Sequence, residues 1–83
     1  MRTTIGIVDY GVGNLGSLIS VLKKLNFRVT TIQSPDHFDS VNAVILPGVG
    51  SFGTCIKAIK NQNLIAPIKN WSLAGNKLLG ICI

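Results

Sequence analysis

Cys82 stands at the end of the run Leu78-Leu79-Gly80-Ile81-Cys82-Ile83. A thiolate is intrinsically nucleophilic, and the N-terminus of a helix lowers its pKa. An apolar run, a glycine and then a cysteine is the pattern of a buried strand that ends in a sharp turn carrying a nucleophile. In such elbows a glycine two residues ahead spares the tight backbone a side chain, and the N–H after the nucleophile, here that of Ile83, serves as an oxyanion donor. A second set of donors is offered by Pro47-Gly48-Val49-Gly50. Glycines one residue apart let main-chain N–H groups turn toward a ligand unobstructed, and one such donor is worth roughly 3 kcal/mol of barrier. Together these residues look like the attacking group and the oxyanion site of an enzyme. Read singly, each also has an ordinary explanation: a small buried cysteine, and a plain strand-to-helix loop.

A third motif, Gly11-Val12-Gly13-Asn14-Leu15-Gly16, matches the dinucleotide fingerprint letter for letter, and Asp36 lies 20 residues beyond Gly16. A dinucleotide-binding domain using Gly11, Gly13 and Gly16 is therefore a rival reading. Against it, the preceding strand ends in Asp9-Tyr10, a charge and a bulky ring where that turn prefers small apolar residues. Asp36 follows Pro35 in a turn, whereas a ribose-binding acid belongs at the tip of the second strand, near Gln33. The glycines at 48, 50 and 53 would also be left without a purpose. Asp9 is better suited to ordering the neighbouring loop. His37 is the only histidine, and its place in a turn beside Phe38 suits an ordinary surface residue. Cys55 is expected to face the core, and Ser17 and Ser51 have no visible base.

The elements that must carry these residues follow from periodicity. Residues 4–9 form a short β-branched apolar run, a strand buried on both faces. After a glycine turn, Asn14 is placed to cap a helix in which Leu15, Leu18, Ile19, Leu22 and Leu25 recur at three and four. Residues 27–32 are a second strand. Ser34-Pro35-Asp36 opens a short turn or helix, with Ser34 as cap and Pro35 at the first position. A third strand over residues 41–46 leads to a loop at 47–53. Helices follow from Thr54 and over 64–73, Pro67 being tolerated near the first turn, then a stop at Gly75-Asn76 and a fourth strand over 77–82. Strands alternating with helices imply an α/β fold: a parallel sheet with right-handed crossovers and helices on both faces. Its ligand edge lies beyond the carboxyl ends of the strands, where the three glycine-marked loops gather.

Totals narrow the function classes. The chain has 83 residues, 47% hydrophobic and 13% charged. That is a single small domain, marginal alone, and too apolar for disorder. The net charge of +5 comes from cations scattered along helix surfaces without interleaved aromatics, which argues against nucleic acid as a partner. Cys55 and Cys82 are in no metal-type spacing. No signal peptide opens the chain, and no apolar run reaches bilayer length. The expectation is a cytoplasmic protein with no membrane association.

The three motifs in this order resemble the class I (triad) glutamine amidotransferases, and among these the glutaminase subunits of imidazole glycerol phosphate synthases. Residues 7–15, IVDYGVGNL, look like that family's opening signature; residues 46–53, LPGVGSFG, like its oxyanion loop; and Leu79-Gly80-Ile81-Cys82 like the start of its nucleophile elbow. The resemblance spans essentially the whole chain. It implies a flavodoxin-like fold of which residues 1–83 are the N-terminal part of one amidotransferase domain, cut just after the nucleophile. It implies that Cys82 attacks the side-chain amide of glutamine, that backbone donors at Gly48, Val49, Gly50 and Ile83 hold the oxyanion, and that no cofactor is needed. It also implies that ammonia passes to a (β/α)8-barrel synthase subunit making imidazole glycerol phosphate and an aminoimidazole carboxamide ribonucleotide. The loop holding Tyr10, Gly11, Gly13 and Asn14 would lie toward that partner. There are departures. The family's triad His and Glu lie beyond the elbow and have no counterpart here, so the chain as it stands is expected to be inactive. Ile83 stands where the family has leucine, and Gly16 where it often has a basic residue. Gly16-Ser17 and Ser51 resemble a sister branch that serves bacterial surface-sugar amidination.

Overall fold

A computed structural model describes residues 3–11, 15–48 and 52–82. Four strands, β1 (Thr4–Val8), β2 (Arg28–Ile32), β3 (Ala43–Gly48) and β4 (Lys77–Cys82), alternate with helices α1 (Leu15–Lys24), α2 (Phe52–Asn61) and α3 (Ile65–Leu73) and a short 3₁₀ helix, Pro35–Ser40. The strands form one sheet in the order β2-β1-β3-β4, every pair parallel. Helices flank both faces, as the α/β reading expects. Alternation of side chains along each strand sorts the core into two clusters. Ile5, Ile7 and Ile45 face α1, meeting Leu15, Leu18, Ile19 and Leu22. Val8, Tyr10, Ile32 and Val44 face the other way, against Phe38 of the 3₁₀ helix, Ile59 of α2 and Leu64 before α3. Leu25, expected on the apolar stripe, is instead 62% exposed, because α1 stops one residue before it.

Each α-helix ends in the same way. Asn26, Asn63 and Gly75 take positive φ of 71°, 57° and 85°. At each end the left-handed residue and the one after it donate back to the last turn: Asn26 to Lys23 and Phe27 to Leu22, Asn63 to Lys60 and Leu64 to Ile59, Gly75 to Ser72 and Asn76 to Trp71. These paired bonds are the Schellman motif, which satisfies carbonyls the helix would otherwise leave open. The residue that follows, Phe27 or Leu64, then drops into the core beside Leu22 or Ile59.

One cap and two boundaries depart from the sequence reading. The 3₁₀ helix does start at Pro35, but the Ser34 side chain makes no capping bond; its carbonyl accepts from the His37 N–H at 3.1 Å instead. α2 begins at Phe52, so Phe52 and Gly53 are helical rather than loop. β3 runs two residues later than expected and takes in Pro47 and Gly48. A proline inside a sheet normally costs a ladder bond. Here the Pro47 carbonyl is taken by the Tyr10 hydroxyl, on the β1 side. A strand residue sends its N–H and C=O to the same side, so the missing N–H also falls there, past Ile45, where β1–β3 pairing ends.

Candidate functional site

The carboxyl ends of β1, β3 and β4 lie along one edge of the sheet. β3 and β4 pair Leu46 with Gly80, Pro47 with Ile81 and Gly48 with Cys82. Neighbouring strands are about 4.8 Å apart, so the backbone of Cys82 sits directly beside that of Gly48. The two candidate motifs, 34 positions apart in sequence, thus meet at adjacent strand tips. Val49, Gly50 and Ile83, the other expected oxyanion donors, lie outside the described residues, as do Gly13 and Asn14.

Gly80 departs from expectation. A Cβ built on it would meet nothing within 4 Å, so crowding within these residues does not require a glycine there. The reason is its place on β4, an outer strand of the sheet, where Gly80 is exposed. The crowded glycine is Gly6, which the sequence reading passed over. A Cβ there would lie 2.5 Å from Cδ1 of Ile32 and 3.0 Å from Val41. A glycine inside a strand pattern is the signal of such a close approach.

Asp9 ties the backbone that leaves β1 to the tip of β2. The Asp9 carboxylate accepts from the Gly11 N–H at 3.2 Å and from Nε2 of Gln33 at 2.9 Å, so Asp9 holds the first turn residue after the strand. Gly11 is exposed with φ of 86°. Tyr10, expected to face a partner, has its side chain 4% exposed within the core. Its hydroxyl donates to the Pro47 carbonyl and lies 3.5 Å from Sγ of Cys55. Tertiary packing draws the ring inward because the apolar face of β1 continues past Val8. What this turn offers outward therefore begins at Gly11.

His37 is exposed, and its Nδ1 accepts from the Gln33 N–H at 3.0 Å. It follows β2, which two strands separate from β4, a span of roughly 14 Å; His37 is not placed to serve Cys82. Asp36 sits exposed on the 3₁₀ helix, and the tip of β2 carries Gln33, engaged with Asp9. A groove lined by Thr3, Arg28, Asn42 and Lys77 opens at the opposite, amino-terminal edge of the strands, away from where such sheets bind ligands. No helix among the described residues is long and apolar enough to cross a membrane.

No protein-family model matches the chain, but curated proteins resemble it along its length. It is 45% identical over all 83 residues to the imidazole glycerol phosphate synthase subunit HisH of Prochlorococcus marinus (strain MIT 9211), covering 39% of that protein. It is 39% identical over 79 residues, 95% of the chain and 37% of the relative, to HisH of Halalkalibacterium halodurans. It is 34% identical over 80 residues, 96% of the chain and 14% of the relative, to imidazole glycerol phosphate synthase hisHF of Emericella nidulans. The chain spans about two fifths of the length of the HisH relatives it matches. Its all-parallel sheet with flanking helices is consistent with the flavodoxin-like fold of class I glutamine amidotransferases. Along essentially its whole length, the chain is similar to the HisH subunits of imidazole glycerol phosphate synthase.

Proposed function

We propose that the complete protein is the glutaminase subunit of an imidazole glycerol phosphate synthase, with Cys82 as nucleophile. The Cys82 sulfur attacks the side-chain amide carbon of glutamine, and the collapsing tetrahedral intermediate expels ammonia and leaves a glutamyl thioester. Water then cleaves the thioester to glutamate and the free thiol. Main-chain donors at Gly48, Val49, Gly50 and Ile83 hold the oxyanion in both halves, the stage at which such donors act most strongly. Ammonia passes to a (β/α)8-barrel synthase subunit, and the loop from Gly11 through Gly13 and Asn14 faces that partner. The observation that carries this reading is the pairing of Gly48 with Cys82 at the carboxyl edge, in a chain whose relatives are named HisH. A relative named hisHF supports a coupled second activity. The chemistry uses no cofactor and no nucleic acid.

A cysteine thiol needs a base to reach its full reactivity, and the one histidine present, His37, is out of reach. The 83-residue chain alone is therefore proposed to be inactive, and the test belongs to the complete protein. With its synthase partner present, that protein should release glutamate and ammonia from glutamine. Cys82→Ala should abolish the release, a loss of about 10⁴-fold or more for a nucleophile acting in a concerted site. Glutamine hydrolysis undiminished in Cys82→Ala would overturn the assignment.

A further inference from the structure

We propose that Tyr10 is a positioning residue that, through one hydroxyl, holds the Pro47–Gly48 peptide in line with Cys82. The inference rests on the reading that Gly48 supplies an oxyanion donor. Pro47 lies on β3, and Cys55 on α2. The Tyr10 hydroxyl donates to the Pro47 carbonyl and lies 3.5 Å from Sγ of Cys55. A phenol has one proton; with that proton on Pro47, its oxygen rests against the Cys55 sulfur. One side chain, rooted beyond β1, thus touches both β3 and α2.

The grip has a direction. The Pro47 carbonyl and the Gly48 N–H belong to one planar trans peptide and point to opposite sides of it. Holding the carbonyl toward β1 therefore aims the Gly48 N–H toward β4, the strand whose Cys82 pairs with Gly48. Tyr10 and Pro47 are both buried, so the bond is made where water does not compete and where its loss leaves an unsatisfied carbonyl. Without it the peptide is free to rotate about its flanking bonds and Gly48 loses its alignment with Cys82.

The test uses the complete protein with its synthase partner. Tyr10→Phe removes one oxygen and keeps the ring. Its kcat for glutamine hydrolysis should fall about tenfold or more while KM stays within about twofold, the split expected when donors engage the transition state rather than the substrate. Alkylation of Cys82 by iodoacetamide should proceed at the wild-type rate, since it needs no oxyanion donor. Wild-type kcat in Tyr10→Phe, or a rise in KM with unchanged kcat, would overturn the proposal while leaving Cys82 as nucleophile. A wild-type protein without glutaminase activity would overturn the underlying reading and this inference together. Should Tyr10→Phe fold poorly, a difluorotyrosine installed at position 10 gives a second measurement, because its more acidic phenol loses the donated proton as pH rises. Its kcat should decline across that ionisation where the wild type stays level; a level profile would refute the role.

Discussion

At the scale of single residues, the decisive information lies in the side chain that Gly6 lacks. Gly6 is tolerated in the middle of β1 because Ile32 and Val41 occupy the space its Cβ would need. Ile32 is wholly buried, so it has no solvent to retreat into. Gly6→Ala should lower the stability of the complete protein by about 1–3 kcal/mol, the usual cost of overpacking a filled core, as read by urea unfolding. An unchanged midpoint would mean that the sheet and the 3₁₀ helix are not packed as described. Of these residue-level features, the chain disclosed some and hid others. The place of Gly48 and Cys82 at the carboxyl ends of strands and the tie from Asp9 to the backbone after β1 were legible, because each depends on residue type and local spacing. The crowding at Gly6, the open space at Gly80 and the inward turn of Tyr10 were not, because each is decided by a strand that arrives from elsewhere in the sequence.

At the scale of elements, periodicity located every helix and strand, and the errors fell at their ends. β3 was placed two residues early because proline and glycine read as punctuation. What overrode that signal was a partner: β4 pairs with Pro47 and Gly48, while the proline's missing N–H faces the side where β1 has already stopped. The helix ends have a local logic that was only partly visible. Gly75 announced a stop, but Asn26 and Asn63 do the same work with a side chain present. An ordinary L-residue in the left-handed region costs about 1–2 kcal/mol, and asparagine bears it better than most. Gly75→Ala should therefore destabilise the complete protein by about 1–2 kcal/mol, whereas Asn63→Gly should leave stability unchanged or raise it by up to about 1 kcal/mol. Thermal unfolding of both variants checks this; equal effects of the same sign would show that the two ends do not share the motif.

At the scale of the whole molecule, the sheet determines what the 83 residues can do by themselves. β4 pairs with β3 on one side, and no other described strand pairs with its outer edge. Leu79 on that strand is 56% exposed, and Leu73 on the adjoining helix 76%. A parallel strand with open N–H and C=O groups and apolar side chains is a template for pairing with another chain, and parallel sheets are normally covered on both faces. A domain this small has little stability in hand to resist such association. The 83-residue chain produced alone should therefore self-associate as its concentration rises, and Leu79→Lys, which sets a charge on the open edge, should weaken that association. Sedimentation velocity over a concentration series reads both. A chain that remains a single monomeric species throughout, with or without the lysine, would mean that the β4 edge is closed by something other than pairing. The same experiment bears on the site, because Cys82 is carried at the tip of this strand: an edge engaged by the wrong neighbour would displace the backbone of Cys82 from that of Gly48, the pairing on which the proposed chemistry depends.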